Sequence, residues 1–218
     1  MNTCKDIARD FGITLLLALA LMLAYFSQGC SSAPAPSARY GVSTASMVSL
    51  ARLERATPMS FLETGLARDR WVPHCTAFAV TRLGRVQLAT AAHCVKGTDQ
   101  ARYFRTWGLG LARVSWVSVA RDVAYLDVED ASLVPLEMGI MQVGQSVRSY
   151  STLYDAVSDG RVQYEYEGGW FETTQTIVFG WSGSPVVDSF GRVVGVVAKC
   201  NTTGGVCTPG HTQVASLL

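Results

Sequence analysis

The sequence predicts an all-β fold from residue 47 onward. Short segments rich in valine, tyrosine, tryptophan and threonine alternate there with glycine-containing turns, whereas helical periodicity is weak. The segments recur at intervals of about ten residues, which is typical of all-β domains. Because antiparallel strands need no crossover helices, the pattern favours a closed barrel or a sandwich.

Turn signals between the strand-like segments predict a series of β-hairpins. The segments CTAFAV and VQLATAA flank the turn TRLGR, and RVSWVSVA and VAYLDV flank Arg121 and Asp122. Two further strands are predicted around Gly168 and Gly169, and the last hairpin joins PVV to RVVGVVA through DSFG. The segment at 46–56, SMVSLARLERA, fits either an opening strand or a helical turn.

Length and composition narrow the functional classes. The chain has 218 residues, enough for one sizeable domain or two small lobes that share a core. Its formal net charge is +1, 16% of its residues are charged, and no sustained basic run occurs. Nucleic acid is therefore not expected as a partner. We also expect no cofactor, and nothing in the sequence indicates an oligomeric state.

The N-terminal region is predicted to engage a membrane. An uncharged apolar run occupies residues 11–26 and follows a short head that contains Lys5 and Arg9. The run is longer than the core of most signal peptides but shorter than the roughly 20 residues that span a bilayer. Residues 1–29 therefore fit either a cleaved signal peptide or a retained membrane anchor.

A third interpretation of this region is a bacterial lipoprotein signal that ends at Gly29. In that case Cys30 is lipidated after cleavage, although Ser27 stands where such signals normally carry a leucine-like residue. Residues 30–46 are rich in serine, alanine and proline and are interpreted as a tether. We expect a location in the cell envelope, periplasmic or extracellular, with or without a membrane or lipid anchor.

Four cysteines lie outside the targeting region, namely Cys75, Cys94, Cys200 and Cys207. An even number of cysteines suits two disulfide bonds in an oxidising compartment, and four reduced core thiols are the alternative. A metal site is not expected, because no two cysteines are spaced as C-x-x-C and the chain has only three histidines.

Three segments carry residues suited to nucleophilic catalysis. LATAAHC contains His93, ARDVAYLDV contains Asp122, and GWSGSPVVD contains Ser182. A serine hydroxyl is a poor nucleophile at neutral pH. It needs an imidazole that takes its proton and a buried carboxylate that orients this imidazole. Each residue alone has an ordinary explanation in a turn or at a strand end, but together they predict a catalytic triad.

The glycines beside Ser182 fit the same chemistry. Gly180 lets its backbone N–H approach a substrate carbonyl closely, and Gly183 allows a sharp turn before Pro185 leads into a strand. The N–H groups of Gly180 and Ser182 are the predicted oxyanion hole. Ser184 is assigned a structural role.

The three segments, in this chain order, resemble the signatures of the trypsin-like (chymotrypsin-fold) serine peptidases. Those signatures are T-A-A-H-C, D-x-A-x-L and G-x-S-G-[GS]-P, and they match the residues around His93, Asp122 and Ser182. The resemblance runs roughly from Val48 to the C-terminus, and the peptidase domain is assigned to residues 47–218. GWSGSP is most similar to the bacterial branch that includes glutamyl endopeptidases and HtrA-type proteases.

This resemblance implies two antiparallel β-barrels with the active site in the cleft between them. The first barrel would span about 47–130 and supply His93 and Asp122. The second barrel would span about 140–218 and supply Ser182.

The resemblance also implies a pattern of disulfide bonds. In the family, a bridge commonly joins the strand before the histidine to the residue directly after it, which here means Cys75 to Cys94. That bridge would restrict the position of His93. A second bridge, from Cys200 to Cys207, would close a short loop on the wall of the specificity pocket.

Other positions are assigned by comparison with the same family. Asp122 rather than Asp127 would be the triad carboxylate, because the family places its aspartate ahead of a small apolar run. Trp181 stands where the zymogen-activated branch has an aspartate that pairs with a newly cut N-terminus, so no such activation is expected. Trp181 would either pack over the oxyanion turn or distort it. His74 and His211 are expected to be exposed loop residues.

The specificity pocket is predicted from offsets to the nucleophile. Thr176 stands where trypsin has an aspartate, so cleavage after lysine or arginine is not expected. Ile177 and Val197 replace the threonine and the histidine of glutamyl endopeptidases, so selection of glutamate is not expected either. With Ile177, Phe179 and Val197 near the expected pocket, we expect a preference for a small or medium apolar residue.

Two functional hypotheses follow from the sequence. The first is an exported or membrane-tethered serine endopeptidase that acts on protein or peptide substrates and contacts the membrane through its N-terminal segment. The second is a catalytically inactive peptide-binding or scaffold protein of the same fold, held inactive by Trp181. Reaction of Ser182 with a serine-specific probe would distinguish the two.

Overall fold

The computed structural model describes the chain in the ranges 38–39, 42–54, 70–105, 108–203 and 206–217. Nearly all regular structure in these ranges is β-strand, accompanied by two short 3-10 helices. No helix in this part of the chain is long and apolar enough to cross a membrane. The apolar run at 11–26, Cys30 and most of the proposed tether lie outside the described residues.

The first barrel is a closed sheet of six antiparallel strands. It follows a short two-stranded sheet of β1 (Ala38–Arg39) and β2 (Val42–Ser43). Its strands are β3 (Met47–Glu54), β4 (Arg70–Arg82), β5 (Arg85–Ala91), β6 (Gln100–Arg105), β7 (Gly108–Ser118) and β8 (Val123–Val128). They pair in the order β3-β4-β5-β8-β7-β6, and pairing of β3 with β6 closes the barrel.

The second barrel is also a closed sheet of six antiparallel strands. Its strands are β9 (Ser146–Ser151), β10 (Ala156–Tyr166), β11 (Trp170–Thr173), β12 (Pro185–Val187), β13 (Val193–Thr203) and β14 (Val206–Ser216). They pair in the order β10-β11-β14-β13-β12-β9, and pairing of β9 with β10 closes the barrel.

Small and branched apolar side chains fill both barrels, because alternate residues of each strand point inward. In the first barrel the fully buried side chains combine alanines with leucines: Ala77, Ala79, Leu88, Ala124 and Leu126. In the second barrel they are largely valines: Val186, Val194, Val197 and Val214. Burial of this apolar area supplies the main driving force for closing the two sheets.

A shared apolar layer joins the two barrels and so fixes the cleft between them. Phe78 on β4 and Tyr125 on β8 belong to one buried cluster with Val187, Val193 and Val196 of the second barrel. A rigid relative position of the barrels matters here, because the predicted site residues come from both.

The connection between the barrels, residues 129–145, is bonded to both of them. The backbone N–H of Leu136 donates to Ala79 at 2.8 Å, and that of Gly139 donates to Val193 at 2.7 Å. These bonds leave the connection little freedom and help to hold the second barrel against the first.

The predicted all-β architecture of two antiparallel barrels is confirmed. The predicted hairpins are present, and the ambiguous segment at 46–56 is strand β3 as far as Glu54. The strands of the first barrel end at Val128 and those of the second begin at Ser146, whereas the sequence predicts limits near 130 and 140.

Candidate active site

His93 and Asp122 form a closely bonded pair. His93 lies in the 3-10 helix Ala92–Val95 directly after β5, and Asp122 lies in the turn before β8. The His93 Nδ1 atom is 2.8 Å from Asp122 Oδ2, and the His93 backbone N–H donates to Asp122 Oδ1 at 2.9 Å. One carboxylate therefore fixes both the ring and the backbone of the histidine.

The carboxylate also decides where the imidazole proton lies. An ionised carboxylate only accepts hydrogen bonds, so Nδ1 of His93 donates to Asp122, and in the neutral ring Nε2 is left as an acceptor. The His93 side chain is 44% exposed, whereas that of Asp122 is 18% exposed. The ring is accessible to a substrate, while the carboxylate that orients it is largely shielded from water.

The turn that carries Asp122 places its carboxylate toward His93 and not toward solvent. Asp122 has a left-handed backbone with φ of +51°, a conformation that aspartate tolerates better than most residues. Its backbone carbonyl accepts the N–H of Ala92 at 3.0 Å, which joins the turn to the His93 segment. Asp127 instead accepts a hydrogen bond from Gln87 at 2.7 Å and has no bond to His93.

Ser182 lies in a tight turn that leads into β12. The N–H of Ser184 donates to the Trp181 carbonyl at 3.0 Å and closes the turn. Gly180 and Gly183 have φ values of +95° and +80°, in the region that favours glycine. The glycine-dependent turn predicted from the sequence is therefore present.

Gly183 has a second reason to be glycine, which the sequence does not reveal. A Cβ at this position would lie 2.0 Å from the backbone oxygen of Thr76 and 2.3 Å from Oγ1 of Thr90. Thr90 donates its hydroxyl to the same Thr76 oxygen at 2.8 Å, and the Thr76 N–H donates to the carbonyl of Ser182 at 2.9 Å. The turn that carries Ser182 therefore packs directly against β4 of the first barrel.

Ser182 and His93 face a common cleft of about 760 Å³ that Asp122 also lines. Within the described residues, no hydrogen bond joins Ser182 Oγ to His93 Nε2. Such a bond often becomes short only when a substrate is bound. The structure therefore gathers the three predicted triad residues at one cleft.

The predicted oxyanion donors lie on the same turn. Within the described ranges, neither the N–H of Gly180 nor that of Ser182 donates a hydrogen bond inside the protein. Two unused backbone donors beside a serine hydroxyl are the arrangement that stabilises the negative oxygen of an acyl-transfer intermediate.

A family model described as the trypsin-like peptidase domain matches residues 75–196. This match covers more than half of the chain and includes His93, Asp122 and Ser182. The chain belongs to the trypsin-like peptidase family. The comparison with curated protein sequences gives no match.

Solved structures of HtrA-type proteases have a similar fold. AlgW with a decapeptide matches with a TM-score of 0.66 and 16% identity, over 79% of this chain and 61% of that chain. AlgW with a tripeptide matches with a TM-score of 0.59 and 16% identity, over 79% of this chain and 56% of that chain. This trypsin-like peptidase thus spans about three fifths of the length of those proteases. At such identity the likeness concerns the fold alone.

Both disulfide bonds implied for this trypsin-like peptidase are present. Cys75 on β4 is bonded to Cys94, the residue directly after His93, and Cys200 on β13 is bonded to Cys207 on β14. Cys75, His93 and Cys94 form the one group in the described part whose atoms could surround a metal ion. Since its two sulfur atoms are bonded to each other, they are not available as metal ligands.

Among the residues predicted near the pocket, Ile177 and Phe179 line the cleft, whereas Thr176 is exposed outside the lining and Val197 is fully buried inside the second barrel. The lining also includes residues that the sequence did not indicate as part of the pocket, among them Trp170 and Lys199. Trp170 follows a predicted glycine turn, which was the only sequence signal for its position.

Trp181 does not cover the cleft. Its side chain is 5% exposed and belongs to the apolar core of the second barrel together with Phe171, Ile177 and Val186. The indole therefore points into the barrel and not over the oxyanion turn. At this position zymogen-activated relatives have an aspartate that forms an ion pair, whereas Trp181 of this trypsin-like peptidase packs into the core.

His74 and His211 lie on strands and not in the loops that the sequence analysis expected, and each has a hydrogen-bond partner. The expected exposure holds for His211, whose side chain is 48% exposed, whereas His74 is half-buried. The Nε2 atom of His74, on β4, is 3.0 Å from the Cys94 carbonyl oxygen. The Nδ1 atom of His211, on β14, is 2.7 Å from Oε1 of the buried Glu172. The hydrogen bond from His211, with a second from the Tyr166 hydroxyl, holds the pKa of Glu172 below its ordinary value.

Proposed function

We propose that this protein is a serine endopeptidase that hydrolyses peptide bonds through Ser182, His93 and Asp122. The observation that carries the proposal is the bonded pair of His93 and Asp122 at the cleft that Ser182 also lines. The membership of the chain in the trypsin-like peptidase family supports the same reaction class.

Each residue has a defined part in the proposed reaction. Ser182 Oγ attacks the carbonyl carbon of the scissile bond while His93 Nε2 accepts the hydroxyl proton. Asp122 stabilises the imidazolium that forms, and the N–H groups of Gly180 and Ser182 stabilise the oxyanion. His93 then gives the proton to the leaving amine, and water hydrolyses the acyl-enzyme by the same steps in reverse order.

The cleft supports an extended peptide with an apolar side chain as substrate. Val119, Val178 and Phe179 line the cleft and are exposed by 85%, 49% and 63%. Exposed apolar side chains that are grouped at one cleft commonly mark a binding surface. The peptides in the similar HtrA-type protease structures are consistent with such an occupant.

We further propose that the enzyme works in the cell envelope, outside the cytoplasm. Two disulfide bonds in the folded part suit an oxidising compartment. The apolar run at 11–26 supports export, with a cleaved signal, a retained anchor and lipidation of Cys30 as the alternatives. The intact mass of the mature protein distinguishes these three alternatives, since each leaves a different N-terminus.

The test is covalent labelling of the full-length protein, produced in an oxidising host, with a fluorophosphonate probe. This probe reacts with activated serines, so we expect labelling that is lost in Ser182→Ala and in His93→Ala. Ser184→Ala is the matched control, because the Ser184 hydroxyl is buried and has no hydrogen-bond partner among the described residues. It should label like the unmodified protein.

Absence of labelling in a folded protein would overturn the proposal. It would favour the peptide-binding alternative, in which the cleft holds a peptide without cleaving it. Binding of the same peptides by the unmodified protein and by Ser182→Ala with equal affinity would then identify a binding protein.

A further inference from the structure

A tyrosine outside the cleft is bonded to the peptide group that carries one of the proposed oxyanion donors. The hydroxyl of Tyr154 donates to the carbonyl oxygen of Phe179 at 2.6 Å. Phe179 and Gly180 share one peptide group, so this carbonyl and the Gly180 N–H belong to the same rigid plane.

The planarity of that group links the tyrosine to the direction of the donor. The peptide bond is trans, and in a trans peptide the C=O and N–H bonds point in opposite directions. Phe179 lines the cleft, whereas Tyr154 is not among the described residues that line it. While the carbonyl is held toward Tyr154, the Gly180 N–H points away from that tyrosine. Rotation of the group by half a turn would put an acceptor where the donor stands and would repel an oxyanion.

Gly180 makes such a rotation possible and so makes a restraint necessary. Glycine populates left-handed and right-handed conformations about equally, so its φ of +95° is not fixed by its own sterics. A Cβ at this position would lie 3.1 Å from the Tyr154 ring and 3.2 Å from Cδ1 of Leu153. The glycine therefore lets the segment at 152–155 pack directly on the turn, which brings the tyrosine hydroxyl within reach.

The segment that carries Tyr154 is anchored to the first barrel. The N–H of Thr152 donates to Oγ1 of Thr76 at 3.2 Å, and Ser49 donates its hydroxyl to Oγ1 of Thr152 at 2.8 Å. Thr76 also donates its own N–H to the carbonyl of Ser182 at 2.9 Å. One residue of β4 thus holds the nucleophile directly and holds the other end of the turn through Thr152 and Tyr154.

We propose that Tyr154 is a positioning residue that keeps the Phe179–Gly180 peptide group with its N–H available to the reacting carbonyl oxygen. This inference rests on the proposed peptidase function. Tyr154 does not touch the reacting atoms and acts through the peptide group of Phe179.

The experiment compares Tyr154→Phe with the full-length unmodified protein, using saturation kinetics of fluorophosphonate labelling. Loss of one hydrogen bond to a carbonyl changes an equilibrium by about tenfold, whereas complete loss of an oxyanion donor costs about 10²–10³ in rate. Because the rate follows the fraction of molecules with the productive orientation, we expect the limiting labelling rate to fall measurably, by at most about tenfold, and the half-saturating probe concentration to change less than twofold. Tyr164→Phe is the matched control, since Tyr164 is a comparably exposed tyrosine on β10, and it should change neither value.

Two outcomes would overturn the inference. One is an unchanged limiting rate in Tyr154→Phe, and the other is a change confined to the half-saturating concentration, which would indicate a binding role. A crystal structure of Tyr154→Phe gives a readout that does not depend on activity, with the Phe179 carbonyl expected in a second orientation. If the unmodified protein is not labelled, the proposed function fails, while this structure still decides whether the tyrosine orients the peptide group.

Discussion

Trp170 and Ala120 join the two barrels at the edge of the cleft. The indole N–H of Trp170, at the start of β11, donates to the Ala120 carbonyl at 3.1 Å. Ala120 stands two residues before Asp122, and the Lys199 ammonium lies 5.3 Å from the centre of the Trp170 ring. The turn that carries Asp122, the carboxylate of the proposed triad, is therefore held from the second barrel as well as from the first.

Replacing Trp170 tests this connection. Trp170→Phe keeps an aromatic ring but removes the N–H, so the free energy of unfolding should fall by about 1 kcal/mol through the lost hydrogen bond. Urea denaturation measures this loss in the free energy of unfolding. Trp116→Phe, a similar change at a half-exposed tryptophan of β7 with no such bond, should cost less. Equal losses in the two variants would contradict a role for the hydrogen bond.

Gly183→Ala should lower the stability of the protein far more than an alanine substitution at another glycine with a left-handed backbone. Its Cβ would meet the Thr76 backbone oxygen at 2.0 Å, and backbone atoms of a barrel strand cannot move away cheaply. The matched control is Gly144→Ala, where φ is +85° and no atom in the described part of the chain lies within 4 Å of the added Cβ. The control should lose about 1–2 kcal/mol of stability from its backbone conformation alone. Gly183→Ala should lose about 1–3 kcal/mol more from the clash.

The bond between Glu172 and His211 predicts an acid-sensitive contribution to stability. Because the folded pKa of Glu172 is below its ordinary value of 4.5, the unfolded state binds more protons in the interval between the two values. The contribution of Glu172 is therefore fully present above pH 4.5 and is lost as the pH falls through the lower, folded pKa.

Urea midpoints measured from pH 3 to pH 7 check this expectation. The unmodified protein should lose more stability on acidification than Glu172→Gln does, because the amide does not titrate. Glu165→Gln, which changes an exposed carboxylate on β10, should behave like the unmodified protein. Parallel curves of urea midpoint against pH for all three proteins would rule out the bonded Glu172 carboxylate as the source of the acid sensitivity.

The two disulfide bonds should contribute differently to stability and to the site. The loop closed by Cys75 and Cys94 has a sequence separation of 19, against 7 for Cys200 and Cys207. Chain-entropy estimates give about 3 kcal/mol for the first and roughly 0.8 kcal/mol less for the second. Thermal or urea unfolding of the two double alanine variants measures the difference.

Labelling of the same two double variants separates their effects on the site. Loss of the first bridge should also slow fluorophosphonate labelling, since Cys94 directly follows His93. Loss of the second should instead alter the half-saturating probe concentration, since Cys200 lines the cleft. An identical kinetic change in both variants would argue that the bridges act only through global stability.

The fold and the grouping of His93, Asp122 and Ser182 at one cleft could be predicted because their signals are local in the sequence. Alternating strands with glycine turns specify hairpins, and a hairpin series of this spacing closes into barrels. His93, Asp122 and Ser182 each lie in a short motif whose neighbours are specific to the chemistry. No such signal marks Tyr154, whose proposed role depends on a hydrogen bond to the carbonyl of Phe179, a residue distant in the sequence.

The full lining of the cleft could not be predicted by counting residues from Ser182. The pairing of β13 with β14 shifts register between Val197 and Lys199, so an irregularity decides which side chain faces the cleft. Val197 turns into the barrel, whereas Lys199 reaches the lining. The steric requirement for glycine at position 183 could not be predicted either. Thr76 is distant in the sequence and packs against Gly183 only after both barrels have formed.

The burial of Trp181 couples the position of the Ser182 backbone to the cooperative unfolding of the second barrel. Its side chain is part of that barrel's core, and its backbone lies between Gly180 and Ser182, the residues that carry the two proposed oxyanion donors. The Trp181–Ser182 part of the turn therefore cannot be displaced while the core around the indole remains intact. Heating should displace the Ser182 backbone and melt the second barrel in a single transition.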